Sequence, residues 1–110
     1  MISAIPSVYG KRRFERITLP KGMDAAWHGG GDQQVSRVKN LGMGGMFLAA
    51  SHARIIGTTL KLVFMVPNGI VQAEGIVRNV VPGVGMGVEF IKMGPQDQAR
   101  LEALLTRLLQ

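Results

Sequence analysis

The sequence predicts a mostly β domain: a small antiparallel β-barrel of about six strands with one C-terminal α-helix. Three observations carry that prediction. Leu60, Leu62, Phe64 and Val66 recur at every second position, the period of a half-buried strand. Turn signals then follow at short intervals, first Pro67-Asn68-Gly69 and later Pro82-Gly83. Near the end of the chain Leu101, Leu104, Leu105 and Leu108 fall at i, i+3, i+4 and i+7, the apolar stripe of a single helix.

Residues 1–10 contain Pro, Gly and Ser with little periodicity and read as a flexible lead; residues 11–110 read as the barrel domain with its closing helix. After a basic segment, Pro20 suits an edge or entry position and not a central ladder. Residues 23–28 form a first expected strand, stopped by Gly29-Gly30-Gly31-Asp32. Gln33 to Lys39 is a second. It runs into Asn40-Leu41-Gly42-Met43-Gly44-Gly45, whose glycines give access to positive φ and let a ligand approach exposed main-chain N–H groups. Met46 to Ala50, Thr59 to Val66, Ile70 to Val81 and Val84 to Phe90 complete the strands, with Gly75 a candidate bulge or close-packing point. Met65 and Met86 read as core filling, and Trp27 either plugs the barrel or stacks on a base. Pro95 suits a first helical position, with Asp97 in the first turn where the helix dipole favours a carboxylate.

A chain of 110 residues has the usual size of one domain, and 46% apolar against 18% charged residues is a globular balance. With no cysteine, disulfides, thiolate metal sites and cysteine nucleophiles are excluded, in keeping with a cytoplasmic location. No apolar run is long enough for a membrane span, and Met1-Ile2-Ser3-Ala4-Ile5-Pro6 lacks the charged lead-in of a secretory signal. His28 and His52 have no metal-ligand spacing, Ser36 and Ser51 no identifiable base, and no phosphate-loop or dinucleotide fingerprint occurs. The expectation is therefore a binding protein with no catalytic residue, no metal and no cofactor.

The formal charge of +6 is uneven, since four of the thirteen basic residues are Lys11, Arg12, Arg13 and Arg16. Such a cluster reads either as a solvated arm or as a site for a phosphate-bearing partner. Arginine suits guanine and phosphate together, because its planar fork bonds in pairs and its face stacks on a purine. Few aromatics accompany the arm, which argues against single-stranded nucleic acid as the partner.

Arg12-Arg13-Phe14-Glu15-Arg16 followed by Asn40-Leu41-Gly42-Met43-Gly44-Gly45 resembles the signature of the PilZ domain family, bacterial receptors for cyclic di-GMP. The family pattern is RxxxR, then (D/N)xSxxG; Arg12 and Arg16 match the first, Asn40 and Gly45 the second. Met46-Phe47-Leu48, Glu74-Gly75-Ile76-Val77-Arg78 and Val84-Gly85-Met86-Gly87-Val88-Glu89-Phe90 resemble later family strands. The chain departs once: Gly42 stands where the family has serine. The resemblance implies a cyclic di-GMP receptor with Arg12, Arg13, Arg16, Asn40, Gly42 and Gly45 as its ligand-binding residues, Arg78 secondary, acting on a downstream protein partner in the cytoplasm. The alternative is a PilZ-like interaction module that no longer binds the nucleotide. Mutual repulsion within the basic arm adds the expectation that it is mobile until a ligand with two phosphates orders it.

Overall fold

The computed structural model describes residues 17–19 and 22–109. Seven strands and one helix follow in order: β1 (Ile17–Thr18), β2 (Asp24–His28), β3 (Gln34–Leu41), β4 (Gly45–Ala49), β5 (Thr59–Val66), β6 (Gly69–Val81), β7 (Gly85–Lys92) and α1 (Pro95–Leu108). Their order in the sheet is β1-β3-β2-β5-β6-β7-β4, every pairing is antiparallel, and β3 also pairs with β4. That last pairing closes β2 to β7 into a six-stranded barrel. Strand β1 adds a two-residue rung to β3, with Ile17 opposite Leu41 and Thr18 opposite Asn40.

Strand β5 has the predicted bounds, and its alternation is literal: Leu60, Leu62, Phe64 and Val66 are buried and the residues between them exposed. The same alternation corrects one expectation. Met86 is fully buried, but Met65 points outward at 72% exposure, because it lies on the face opposite Phe64. Trp27, 2% exposed, plugs the barrel. Its Nε1–H donates to Ser36 Oγ at 2.9 Å, so the one polar atom of the indole is satisfied.

The turns use glycine where their geometry demands it. Val84 N–H bonds Val81 O at 2.9 Å across Pro82-Gly83, and Gly83 has φ +74°, the arrangement of a type II turn. Gly30, with φ +67°, lies in the turn after β2, which Arg54 clamps by bonding Gly29 O and Asp32 O, each at 2.9 Å. The Arg54 guanidinium also sits 4.9 Å from the centre of the Trp27 ring, a cation–π contact that joins this loop to the core.

Strand β6 outruns β7, which pairs only with Glu74 to Val81. Helix α1 serves the uncovered stretch: Asp97 Oδ1 accepts the Gln72 N–H and Arg100 Nη1 donates to Ile70 O, both at 3.0 Å. Leu101 and Leu105 bury the helix stripe in the core, with Leu104 and Leu108 packed beside them. Pro95 opens the helix, as its fixed φ and missing N–H suit.

Candidate functional site

Three strands leave regular register, and two of these irregularities aim asparagines at the same face. In β3 the pairs Val38–Leu48 and Asn40–Phe47 enclose Lys39 as an extra residue; in β6 the pairs Val77–Val88 and Asn79–Gly87 enclose Arg78. A bulge bends its strand and re-aims the side chains after it. Directly opposed residues share a face of the sheet, so Asn40, Phe47, Gly87 and Asn79 form one outward row across β3, β4, β7 and β6. The next row along, Leu41, Met46, Val88 and Val77, is the buried one.

Arg12, Arg13 and Arg16 lie outside the described residues. Arg16 directly precedes Ile17, and Ile17–Thr18 is laid against Asn40 and Leu41. The two described residues that follow Arg16 in sequence are therefore hydrogen-bonded to the strand that carries Asn40. Asn40 is half-buried near the end of β3, one residue beyond the predicted end of that strand, and Gly45 opens β4 opposite Glu89.

The glycine turn differs from expectation. Gly42, Gly44 and Gly45 are not among the glycines with positive φ. Nor does the turn offer all its main-chain groups to a ligand, since Gly42 N–H donates to Gly45 O at 2.9 Å and Gly44 O accepts from Phe90 N–H at 2.8 Å. Gly42 and Gly45 are buried. A side chain at Gly42 thus meets no left-handed backbone. If the chain binds cyclic di-GMP as the resemblance implies, Gly42→Ser is expected to tighten that binding a few-fold, one neutral hydrogen bond being worth about 0.5–1.5 kcal/mol. Calorimetric titration with a parallel melting curve checks this: unchanged stability with unchanged or weaker binding removes the hydroxyl from the account.

Arg78, the extra residue of the β6 bulge, pairs through Nε with Glu89 Oε1 at 2.5 Å on the exposed face. Glu89 neutralises it locally, so Arg78 offers an incoming anion less than its charge suggests. Asn79, Phe47 and the Gly85/Gly87 pair were not singled out as site residues from sequence. The signal was nevertheless there, in glycines at alternate positions of a strand, a pattern that marks a close approach by something else. At the opposite end of the barrel, a groove of about 320 Å3 includes Trp27, Ser36, Ser51, His52 and Arg54. Arg54 is already committed to loop carbonyls there, which makes that end structural. Among the described residues no group of three or more metal-ligating side chains occurs, and no helix is long and apolar enough to cross a membrane.

No curated protein matches the sequence significantly. Among solved structures the chain is similar to the inhibitor of motility MotI/DgrA of Bacillus subtilis, with TM-score 0.74, 19% identity, and coverage of 90% of this chain and 52% of that one. It is also similar to the PilZ domain of YcgR from Escherichia coli, solved with c-di-GMP (TM-score 0.67, 16% identity, 89% and 94% covered). A third likeness is to the PilZ domain of CeSA from a cellulose-synthesizing bacterium (TM-score 0.66, 17% identity, 87% and 99% covered). The chain thus spans about half the length of MotI and nearly all of the isolated domains. The six-stranded closed barrel with its C-terminal helix is the fold of these structures. The sequence itself matches the family model of the PilZ domain over residues 10–107, and the chain belongs to the PilZ domain family.

Proposed function

We propose that this chain is a cyclic di-GMP receptor whose Arg12, Arg13 and Arg16 hold guanine and phosphate while Asn40, Gly42 and Gly45 form the wall they close against. The observation that supports the reading is the register of β1, with Thr18 opposite Asn40, because it lays the residues that follow the RxxxR segment in sequence against the strand of the second motif. Arginine supplies charge-assisted, two-pronged hydrogen bonds, which matches a ligand with two phosphates and two guanines. The chain has a net charge of +6 for attracting such an anion. Binding places the basic residues on one ligand and cancels their repulsion, so the segment around them becomes ordered and presents a new surface to a downstream protein in the cytoplasm. Titration calorimetry with cyclic di-GMP, against GMP and cyclic di-AMP, tests the binding. Hydrogen exchange of residues 7–17 with and without cyclic di-GMP tests the signal: slowed exchange is expected at saturation, and unchanged exchange with confirmed binding rules the ordering mechanism out.

Gly42 favours one second reading. Without the serine hydroxyl the domain serves as a protein-interaction module with no nucleotide. An intact fold that takes up no cyclic di-GMP at millimolar ligand selects it.

A further inference from the structure

The outward row of the barrel is built in a way that strand packing alone does not require. Its two ends are asparagines, each delivered by its own bulge, and its middle is an aromatic ring beside two glycines. The Phe47 ring lies along the barrel wall: a Cβ on Gly85 would come within 2.6 Å of Phe47 Cε2. A Cβ on Gly87 would overlap the side-chain oxygen of Asn79, so that amide lies over bare backbone. Three strand steps of about 4.8 Å separate Asn40 from Asn79, about 14 Å in all, a breadth that a phosphate group alone does not span. The row itself carries no charged side chain. Asn79 is exposed and Phe47 half-buried, so both are reachable from solvent.

Resting on the reading of this chain as a cyclic di-GMP receptor, the geometry points to Phe47 and Asn79 as the seat of one guanine base, with Phe47 the stacking face and the Asn79 amide a hydrogen-bonding partner. The position fits the rest of the site. Asn40 and β1 lie at one end of the row, so a ligand whose phosphates are held by the arginines reaches along it with a base. A planar amide both donates and accepts, as the edge of guanine does, and an aromatic ring offers a face on which a base stacks. Charge and base recognition are then divided: arginines for phosphate, a neutral row for the base.

Titration of cyclic di-GMP into the wild type, Asn79→Ala, Phe47→Leu and Arg12→Ala at two salt concentrations tests the division. Asn79→Ala is expected to weaken binding two- to twelvefold, the range for one neutral hydrogen bond. Phe47→Leu keeps an apolar cover over Gly85 and is expected to cost about fivefold through lost stacking. Both losses should be the same at either salt concentration, since neither variant removes a charge, whereas Arg12→Ala should flatten the salt dependence. Melting temperatures near wild type in Asn79→Ala confirm that an exposed side chain was removed without loss of fold. Wild-type affinity in both Asn79→Ala and Phe47→Leu, with Arg12→Ala still impaired, overturns the subsite and leaves the receptor reading standing. Absence of binding by the wild-type protein overturns both.

Discussion

Arg12→Ala and Arg16→Ala are each expected to weaken cyclic di-GMP binding at least tenfold. One two-pronged arginine–guanine contact is worth about 1–3 kcal/mol, and a charge-assisted bond to phosphate is about twice as strong as a neutral one. Truncation removes the contact and leaves the ligand's charge less neutralised, so tenfold is the lower edge of the expected range. Net charge is the competing explanation, since any lost cation weakens the field of a +6 chain. Arg107→Ala separates the two. Arg107 is exposed in the last turn of α1 and belongs to neither motif, and its truncation removes the same unit of charge. Titration should show a small change for Arg107→Ala and a large one for each motif arginine. Wild-type affinity in both motif variants sinks the proposed site, and an equal loss in all three assigns the effect to the general field.

Much of the barrel was legible because period and turn chemistry are local. Strand β5 emerged with its bounds and its buried face, and Pro82-Gly83 announced a turn that needs a left-handed glycine. What escaped depends on neighbours distant in sequence. Strand β1 is two residues long and exists only because β3 offers it a free edge, so no window of sequence marks it. Asn40 and Leu41 read as the start of a glycine loop, yet they continue β3, because Phe47 and Met46 stand opposite them. Met65 reads as core by its residue type, although the alternation of its own strand puts it outside.

The site divides along the same line. Arg12, Arg13, Arg16, Asn40, Gly42 and Gly45 come from motif spacing; of the stretch between the two motifs, the pairing of Thr18 with Asn40 is what only the structure adds. The bulges at Lys39 and Arg78 are properties of paired strands, and nothing in either strand alone reveals them. Asn79 and Phe47 therefore become visible as neighbours only once the register is known. The glycines of the Gly42–Gly45 turn read as positive-φ positions, yet none of them has a positive φ.

Trp27→Ala is expected to lower the free energy of unfolding by about 3–5 kcal/mol, the usual cost of truncating a buried tryptophan or phenylalanine. Domains of this size have about 5–15 kcal/mol in total, so the variant approaches the limit of folding. Several losses combine at this position. The indole is 2% exposed and packs in the core, so its removal leaves a cavity. Ser36 loses the donor 2.9 Å from its hydroxyl. Arg54 loses the ring beneath its guanidinium, and with it part of what holds the clamp on the Gly29–Asp32 turn. Trp27→Phe divides these contributions, since it keeps an aromatic face for Arg54 and deletes the Nε1–H; about 1 kcal/mol is expected for the lost bond, plus a smaller packing loss. Urea denaturation followed by far-ultraviolet circular dichroism measures both variants without relying on the fluorophore that is removed. Because Trp27 and Arg54 serve the end of the barrel away from the β3–β4 turn, Trp27→Phe should keep wild-type affinity for cyclic di-GMP. A Trp27→Ala destabilisation below about 1 kcal/mol would show that the Arg54 clamp and the surrounding leucines hold this end of the barrel unaided.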